Sequence, residues 1–486
     1  MSDVRQSAFR GVKWSAVERY SEQIVRFLVE IIIARILAPS DYGIIGIIAI
    51  FIAIFQSFID SGFSSALIRK KNLSDVDCST VFYFNILVGV VSYLLLFLTA
   101  PLISVFFEIP LLTSIIRVIS LSLIFQSFSV VPIARLARSV DFKTQTKATL
   151  ISSLFSGTVG IALAYCGYGV WALVYQNICN MFCKMLLLFC FTKWKPQFVF
   201  SYDSFKELFS FGSKLLASGL INTIYLQLRK LVIGKFYTSQ DLGLYTRGEQ
   251  FAVMPSQNLA NVIQRVSYPI LSKYQDNPQN MIEIYRRMIK LSSMLIFFLT
   301  ALLAAIGKPL IIMLLTPQWE GAIIFLQIFC FTYIFDQVDL INISLLQVIG
   351  RSDLTLKVEI IKKTISIFLL IISIPYGVIA ICLSGLFYSQ VALALNTYYT
   401  GKIFNYGWVK QIKDVFPYFF IAIMSVLPSY FLSLTAMHNI LILILGSLSS
   451  VILYVTLLEI KKDVLFNTYV KDEIVNRGFK FFKTKR

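Results

Sequence analysis

Fourteen apolar runs, each near the length that crosses a bilayer and parted by short turns, fill this chain almost end to end. They lie near 12–37, 43–67, 80–107, 112–134, 144–165, 168–191, 208–235, 242–265, 283–315, 320–349, 356–375, 376–400, 413–434 and 438–459. Backbone amides in hydrocarbon find no water, so only helices or a closed barrel can span it, and runs of about 20 residues are far longer than barrel strands of about 9–11. The pattern predicts an all-α polytopic membrane protein with no room for a sizeable soluble catalytic domain. Composition agrees: of 486 residues 57% are apolar and 14% charged, and mean hydropathy is +0.75.

The charges sort the connections into two sides. Lys+Arg total 44 against 26 Asp+Glu, a net +18. In a membrane protein that excess means basic cytoplasmic loops or a cationic pathway before it means nucleic acid. Alternate connections hold Arg69, Lys70 and Lys71; Arg135, Arg138, Lys143 and Lys147; Lys193, Lys195 and Lys206; Lys273, Arg286 and Arg287; Arg351, Lys357, Lys362 and Lys363; Lys402, Lys410 and Lys413. The intervening ones, around Ala38–Gly43, Glu108–Pro110, Gly167–Tyr168, Thr316–Gly321, Pro375–Tyr376 and Ala436–Asn439, are short and hold no Lys or Arg; Arg35, Lys235 and Lys308 are the nearby exceptions. The positive-inside rule then puts both termini in the cytoplasm, and the basic tail from Lys461 to Arg486 agrees. The N-terminus lacks the short apolar core and cleavage site of a signal peptide, so the first helix is expected to stay.

Several chemistries are excluded by what the sequence lacks. His438 is the single histidine, which removes mechanisms needing paired imidazoles and His-rich zinc sites. Seven cysteines sit mostly in apolar segments with no CxxC pair and read as small buried hydrophobes. There is no P-loop for ATP and no G-x-S-x-G elbow. Asp75-Val76-Asp77 resembles the metal-holding D-x-D of glycosyltransferases, but it lies in a short loop with no domain around it. The expectation is a protein without enzymatic activity, metal or cofactor.

The chain also repeats itself at long range. Ile33 to Gly43 (IARILAPSDYG) is echoed by Ile233 to Gly243 (IGKFYTSQDLG); Tyr168 to Leu173 (YGVWAL) by Tyr376 to Ile381 (YGVIAI); Arg138-Ser139 with Asp141 by Arg351-Ser352-Asp353. Each repeat holds six spans and begins on the same side, so the halves are parallel repeats. This predicts two pseudo-symmetric six-helix lobes around a central cavity. Residues 1–207 form the first lobe and 208–403 the second; 404–460 add two further helices, and 461–486 a basic cytoplasmic tail.

Charge inside the spans points to the cargo. Glu18, Arg19, Glu22, Arg26 and Glu30 fall within about 120° around the first helix, a density of charge that lipid-facing surface cannot accept. Lys214, Ser218, Asn222, Tyr225 and Arg229 fall within about 80° on the seventh. Arg247, Gln250, Asn258, Asn261 and Arg265 align on the eighth, where Pro255 can kink the helix. A structural reading stays open for the first span, because Glu22 with Arg26 and Arg26 with Glu30 make i,i+4 pairs. In the other two, cations including Lys230 exceed acids and suggest an anionic cargo, and guanidinium is suited to diphosphate because its planar fork takes two oxygens at once. Asp60 in the second span and the i,i+3 pair Asp336 and Asp339 in the tenth are acids able to carry protons or bind Na⁺; packing roles with an Arg, Tyr or Asn partner stay open. With no nucleotide site, transport must be driven by an ion gradient or by consumption of product outside. Glu22, Asp60, Asp336 and Asp339 are then the candidate coupling acids, with the last two favoured. Arg117 and Lys184 are isolated and read as snorkelling cations.

Three segments carry a resemblance: ARILAPSDYG from Ala34 to Gly43, Asp60-x-Gly62-Phe63-x-x-Ala66-Leu67-Ile68, and Tyr168 to Leu173. With Ser210-Phe211-Gly212-Ser213-Lys214, Arg265-Val266-x-Tyr268-Pro269 and Gly350-Arg351-Ser352-Asp353, they make a chain that resembles a family. It is the polysaccharide-export branch, with the WzxC-like lipopolysaccharide and capsule proteins, of the multidrug/oligosaccharidyl-lipid/polysaccharide exporter superfamily. The resemblance covers about 8 to 400. It implies a MATE/MurJ-like fold and a flippase that moves undecaprenyl-diphosphate-linked oligosaccharide across a bacterial inner membrane by alternating access. It also implies arginines on the first and eighth spans at the diphosphate, here Arg19, Arg26, Arg247 and Arg265, to which the charge pattern adds Arg229 and Lys230, with Asn222 and Asn258 in the same stripes. Membrane lipids and the polymerase and glycosyltransferases of the same pathway are the implied partners, with H⁺ or Na⁺ as coupling ion. The rival readings are a polytopic O-antigen polymerase or ligase, which needs a large outward loop, and a cation-coupled multidrug antiporter, whose cavity should be acidic and aromatic.

Overall fold

A computed structural model describes residues 21–60, 62–435 and 437–468, apart from the side chains of Gln257, Asn258, Asn261 and Arg265. All the secondary structure among these residues is helical. By its contacts the chain divides into two compact units, Met1–Gly243 and Leu244–Arg486.

The first unit holds α1 over 21–34, α2 (Pro39–Asp60), α3 (Phe63–Arg69), α4 (Asp75–Phe107), α5 (Leu111–Ile119), α6 (Leu121–Arg138), α7 (Phe142–Tyr165), α8 (Val170–Thr192), α9 (Tyr202–Phe236) and the first turn of α10 (Ser239–Lys273). Local sequence sets the boundaries. Ser74 and Asp77 make a reciprocal capping box at the start of α4, and the Asp141 and Ser201 side chains cap α7 and α9. The D-x-D segment is therefore structural: Asp77 completes the cap and accepts from Lys70 at 3.0 Å, while Asp75 pairs with Arg135. Gly62 parts α2 from α3 at φ 68°, where a Cβ would lie 2.7 Å from the Gly212 carbonyl oxygen. Two of the resemblance segments thus meet at α9. Around that contact Phe63, Phe82, Trp194 and Leu208 form a core with Phe84, Phe189 and Phe205 against it.

The second unit holds the rest of α10, then α11 (Pro278–Ala305), α12 (Gly307–Leu315), α13 (Ala322–Thr332), α14 (Asp336–Val348), α15 (Ser352–Ser373), α16 (Val378–Phe404), α17 (Trp408–Ser433), α18 (Asn439–Ile460) and the short α19 (Val464–Phe466). α11 is its centre: Tyr285, Ile289 and Phe297 bury against α14, and Val415, Tyr418 and Ala422 of α17 join the same core. Asn277 caps α11 and Pro278 occupies its first turn, where a missing N–H costs nothing. α17 and α18 close on each other through Ser429, which bonds the Gly446 carbonyl and the Ser450 hydroxyl, the small-residue contact that membrane helices use to approach.

Among the described residues ten spans, counting the helix pairs Pro39–Arg69, Leu111–Arg138 and Ala322–Val348 as single ones, are long and apolar enough to cross a membrane. The other four expected positions coincide with α1, α9, α10 and α15. α9 packs along α2, α3 and α4 and so falls in the first unit by contact, although the repeat places it at the head of the second half.

Candidate substrate and ion-coupling sites

The candidate residues lie on helices of both units. In the first unit α1 carries Glu22 and Arg26; Arg26 Nε donates to Glu30 Oε1 at 3.0 Å, the i,i+4 pair expected from spacing, while the rest of the guanidinium stays exposed. Arg19 and Glu18 lie outside the described residues. α9 presents Lys214, Ser218 and Asn222 exposed and Tyr225, Arg229 and Lys230 partly covered. The Ser57 and Thr223 hydroxyls meet at 3.0 Å and fix α9 against α2 beside that stripe. Asp60 is exposed at the last turn of α2, just before the Gly62 break.

In the second unit Arg247 on α10 is buried; its guanidinium donates to Gln250 Oε1 and lies over the Trp319 ring, 5.8 Å from the centroid. Glu249, two residues further along α10, accepts from the Tyr333 hydroxyl at 3.2 Å. The side chains of Asn258 and Arg265 lie outside the described residues.

Asp336 and Asp339 open α14, and the structure adds two residues that sequence reading missed. Lys362, counted above among cytoplasmic loop charges, sits instead well inside α15, buried, and pairs with Glu359. Its Nζ lies 3.5 Å from Asn396 Oδ1 on α16. Positive-inside counting cannot tell a loop lysine from one a few turns into a helix whose remaining residues are apolar.

Two other cations also find partners. Pro101 in α4 has no N–H for the Phe97 carbonyl, and Arg117 Nε donates to that oxygen at 3.3 Å with its guanidinium over the Phe97 ring. Arg117 thus fills a specific gap instead of reaching for the membrane surface. Lys235, an exception to the charge alternation, pairs with Glu108 at 3.0 Å and bonds the Phe106 carbonyl at the end of α4. Among the described residues no group of His, Cys, Asp and Glu is placed to hold a metal ion.

Helices of this number, length and apolarity define a multi-pass membrane protein. Residues 32–324 match the family described as "Polysaccharide biosynthesis protein", and the chain belongs to that family. It is 24% identical over 362 residues to the teichuronic acid biosynthesis protein TuaB of Bacillus subtilis, covering 73% of this chain and 74% of that one. It is 22% identical over 441 residues to the lipopolysaccharide biosynthesis protein WzxC of Escherichia coli, covering 89% and 88%. A solved structure of the lipid II flippase MurJ in an inward closed conformation superposes with a TM-score of 0.75 at 16% identity, over 92% of this chain and 98% of that one, so the fold is MurJ-like.

Proposed function

We propose that the chain is a flippase carrying undecaprenyl-diphosphate-linked oligosaccharide, the repeat unit of an O-antigen, capsule or exopolysaccharide, to the outer leaflet of a bacterial inner membrane by alternating access. The observation that carries this reading is the family match over residues 32–324 on a MurJ-like fold. The cationic stripe of α9 adds to it, since exposed Lys214 and partly covered Arg229 and Lys230 on one membrane helix suit an anionic headgroup. The names of the relatives, which place them in teichuronic acid and lipopolysaccharide biosynthesis, support the same class of cargo.

In this reading Arg19, Arg26, Arg247, Arg265, Arg229 and Lys230 bind the diphosphate, and Asn222 and Asn258 meet the first sugars. Fourteen spans leave both termini in the cytoplasm. The work is transport and not catalysis, upstream of a polymerase and downstream of glycosyltransferases.

Export of glycan in cells that lack their own flippase tests it. Arg26→Ala and Arg229→Ala should each abolish export while the protein inserts normally, and Lys at either position should restore part of it, because a point charge replaces a fork. Full export by the double Ala variant at normal expression would return both residues to a structural role.

A further inference from the structure

The link between α8 and α9, residues 193–201, is not helical, yet it is pinned. Lys193 ends α8 in the left-handed region at φ 50°, and the next side chain, Trp194, is buried with its ring among Phe82, Phe189 and the Arg135 guanidinium. The Gln197 N–H donates to Ser79 Oγ at 2.9 Å and the Ser201 N–H to Thr80 Oγ1 at 3.0 Å, both hydroxyls on the second turn of α4. The Val199 N–H bonds the Gln197 carbonyl at 2.8 Å, and Pro196 has no N–H to satisfy. What the link turns outward is apolar: Phe198 is 98% exposed, Val199 46%, Phe200 53% and Tyr202, at the start of α9, 68%. Apolar side chains held open to water by a fixed backbone call for a cover.

The helices on either side set the depth of that cover. α4 runs for 33 residues, about 50 Å, against about 30 Å of hydrocarbon, so its ends reach the headgroups. Its apolar run opens at Val81, after Asp75, Asp77, Ser79 and Thr80, and the Phe198 ring stacks on Tyr83, 6.1 Å between centroids, just inside that opening. At the other side of the link α8 loses its apolar character where Phe191 gives way to Thr192 and Lys193. The link therefore lies where hydrocarbon meets headgroups, the layer in which aromatic side chains concentrate. Three of its amides are satisfied inside the protein, which lowers the cost of entering that layer. Lys193, Lys195 and Lys206 are exposed around it. Of the two acids in 193–207, Glu207 is taken by Lys70 at 2.8 Å, which leaves Asp203 against three ammonium groups.

We propose that residues 193–206 form a binding surface for anionic phospholipid, in which Phe198, Val199, Phe200 and Tyr202 enter the acyl boundary while Lys193, Lys195 and Lys206 hold the phosphate groups. A zwitterionic lipid covers the rings equally well but brings no net charge, so the surface prefers anionic lipid by about fivefold for each lysine near the membrane. Free phosphate meets the lysines and leaves the rings bare. Because the link runs directly into α9, the bound lipid holds the first turn of the helix that carries Lys214, Arg229 and Lys230. The surface stands on the geometry of the link and not on the flippase reading.

A nitroxide at Val199→Cys, on a cysteine-free background of the full chain in nanodiscs, reads the surface with its aromatic rings and lysines in place. In nanodiscs that contain phosphatidylglycerol the label should meet oxygen dissolved in the lipid in preference to a water-soluble nickel complex. Titrating phosphatidylglycerol into phosphatidylcholine nanodiscs should restrict the motion of the label, with a half-point that rises about fivefold for each of Lys193→Gln, Lys195→Gln and Lys206→Gln. Inorganic phosphate should leave the label unchanged. A label as open to the nickel complex in phosphatidylglycerol as one at Asp276, on an exposed turn, overturns the proposal. So does a half-point indifferent to all three lysine changes, or restriction by inorganic phosphate alone. Protection of the label in native membranes but not in these nanodiscs assigns the cover to a protein and overturns the lipid surface.

Discussion

Gly43 and Gly243 are repeat-related residues that occupy mirror roles in one contact: a Cβ on Gly43 would fall 1.6 Å from the Ser239 carbonyl oxygen, and one on Gly243 would fall 1.9 Å from that of Pro39. The first turns of α2 and α10 therefore lie backbone against backbone. Their starts are built alike. Asp41 accepts from the Ala38 N–H at 3.1 Å and Asp241 from the Thr238 N–H at 3.2 Å, so the Asp-x-Gly echoed between the halves pairs a cap with a close approach. The second copy is fuller, because Thr238 also accepts from the Asp241 N–H and Ala38 has no side chain to do so.

Gly43→Ala and Gly243→Ala should each therefore lower stability, by about 1–3 kcal/mol from overpacking, with the pair less than additive because both changes push the same two turns apart. Thermal unfolding of the protein in detergent, followed by tryptophan fluorescence, measures this. Unchanged melting in both single variants would mean the contact does not persist in solution.

The helical architecture was legible because it depends on a period and a length, and the ten apolar spans fall where hydropathy puts them. The Asp336 and Asp339 pair was legible for the same reason, since i,i+3 is a local spacing. Lys362 and Asn396 were not, because their meaning comes from a contact between α15 and α16 that no local pattern encodes. Arg117 was misread as a snorkelling cation for a related reason. The carbonyl it serves is on another helix, freed by Pro101, and only the fold brings the two together.

That last pair gives a coupling test. If Arg117 exists to satisfy the Phe97 carbonyl, Arg117→Met should destabilise the protein, and should do so by less once Pro101→Ala restores an N–H within α4. The interaction energy of the double-mutant cycle should lie at about 0.5–3 kcal/mol. Strict additivity would leave the cation–π contact with Phe97 as the whole role of Arg117.

Asp463 follows α18 and is almost fully buried, which pushes its carboxyl up; bonds from Lys461 at 2.9 Å, the Phe466 N–H at 3.1 Å and the Tyr418 hydroxyl at 2.8 Å outweigh this and hold it below the usual carboxylate range. A depressed folded-state value adds stability above the unfolded value of about 3.9, and that stability is lost as pH falls through the folded one. Melting temperature followed from neutral pH downward should therefore drop more in the unaltered protein than in Asp463→Asn, which lacks the stabilisation at every pH. Parallel curves would remove Asp463 from the acid response.

Orientation is testable with single cysteines on a cysteine-free background. Lys71, Lys143 and Arg351 should label only from the cytoplasmic side, and Asp41, Glu108 and Gly167 only from outside. Lys362 is unsuited as a probe because it is buried. Outward labelling at Lys143 would overturn both the topology and the parallel-repeat arrangement.

The two helices beyond the repeat are held by polar atoms as well as by apolar contact. Gln411 on α17 is 2% exposed; its amide nitrogen donates to the Tyr285 hydroxyl and the Tyr406 carbonyl, both at 3.0 Å, and its Oε1 accepts from Asn342 Nδ2 at 3.0 Å. Tyr285 in turn donates to Asn342 Oδ1 at 2.7 Å and Thr400 to the same oxygen at 3.0 Å, so α11, α14, α16 and α17 share one closed network. A nonpolar residue at 411 strands several buried groups together, at about 1–3 kcal/mol each, since no water reaches them. Gln411→Leu should lower the melting temperature and expose α17 to protease before the rest of the chain opens, whereas Gln411→Glu, keeping an acceptor and losing a donor, should fall between. If Gln411→Leu melts with the unaltered protein, apolar packing of Val415, Tyr418 and Ala422 against α11 alone docks the added helices.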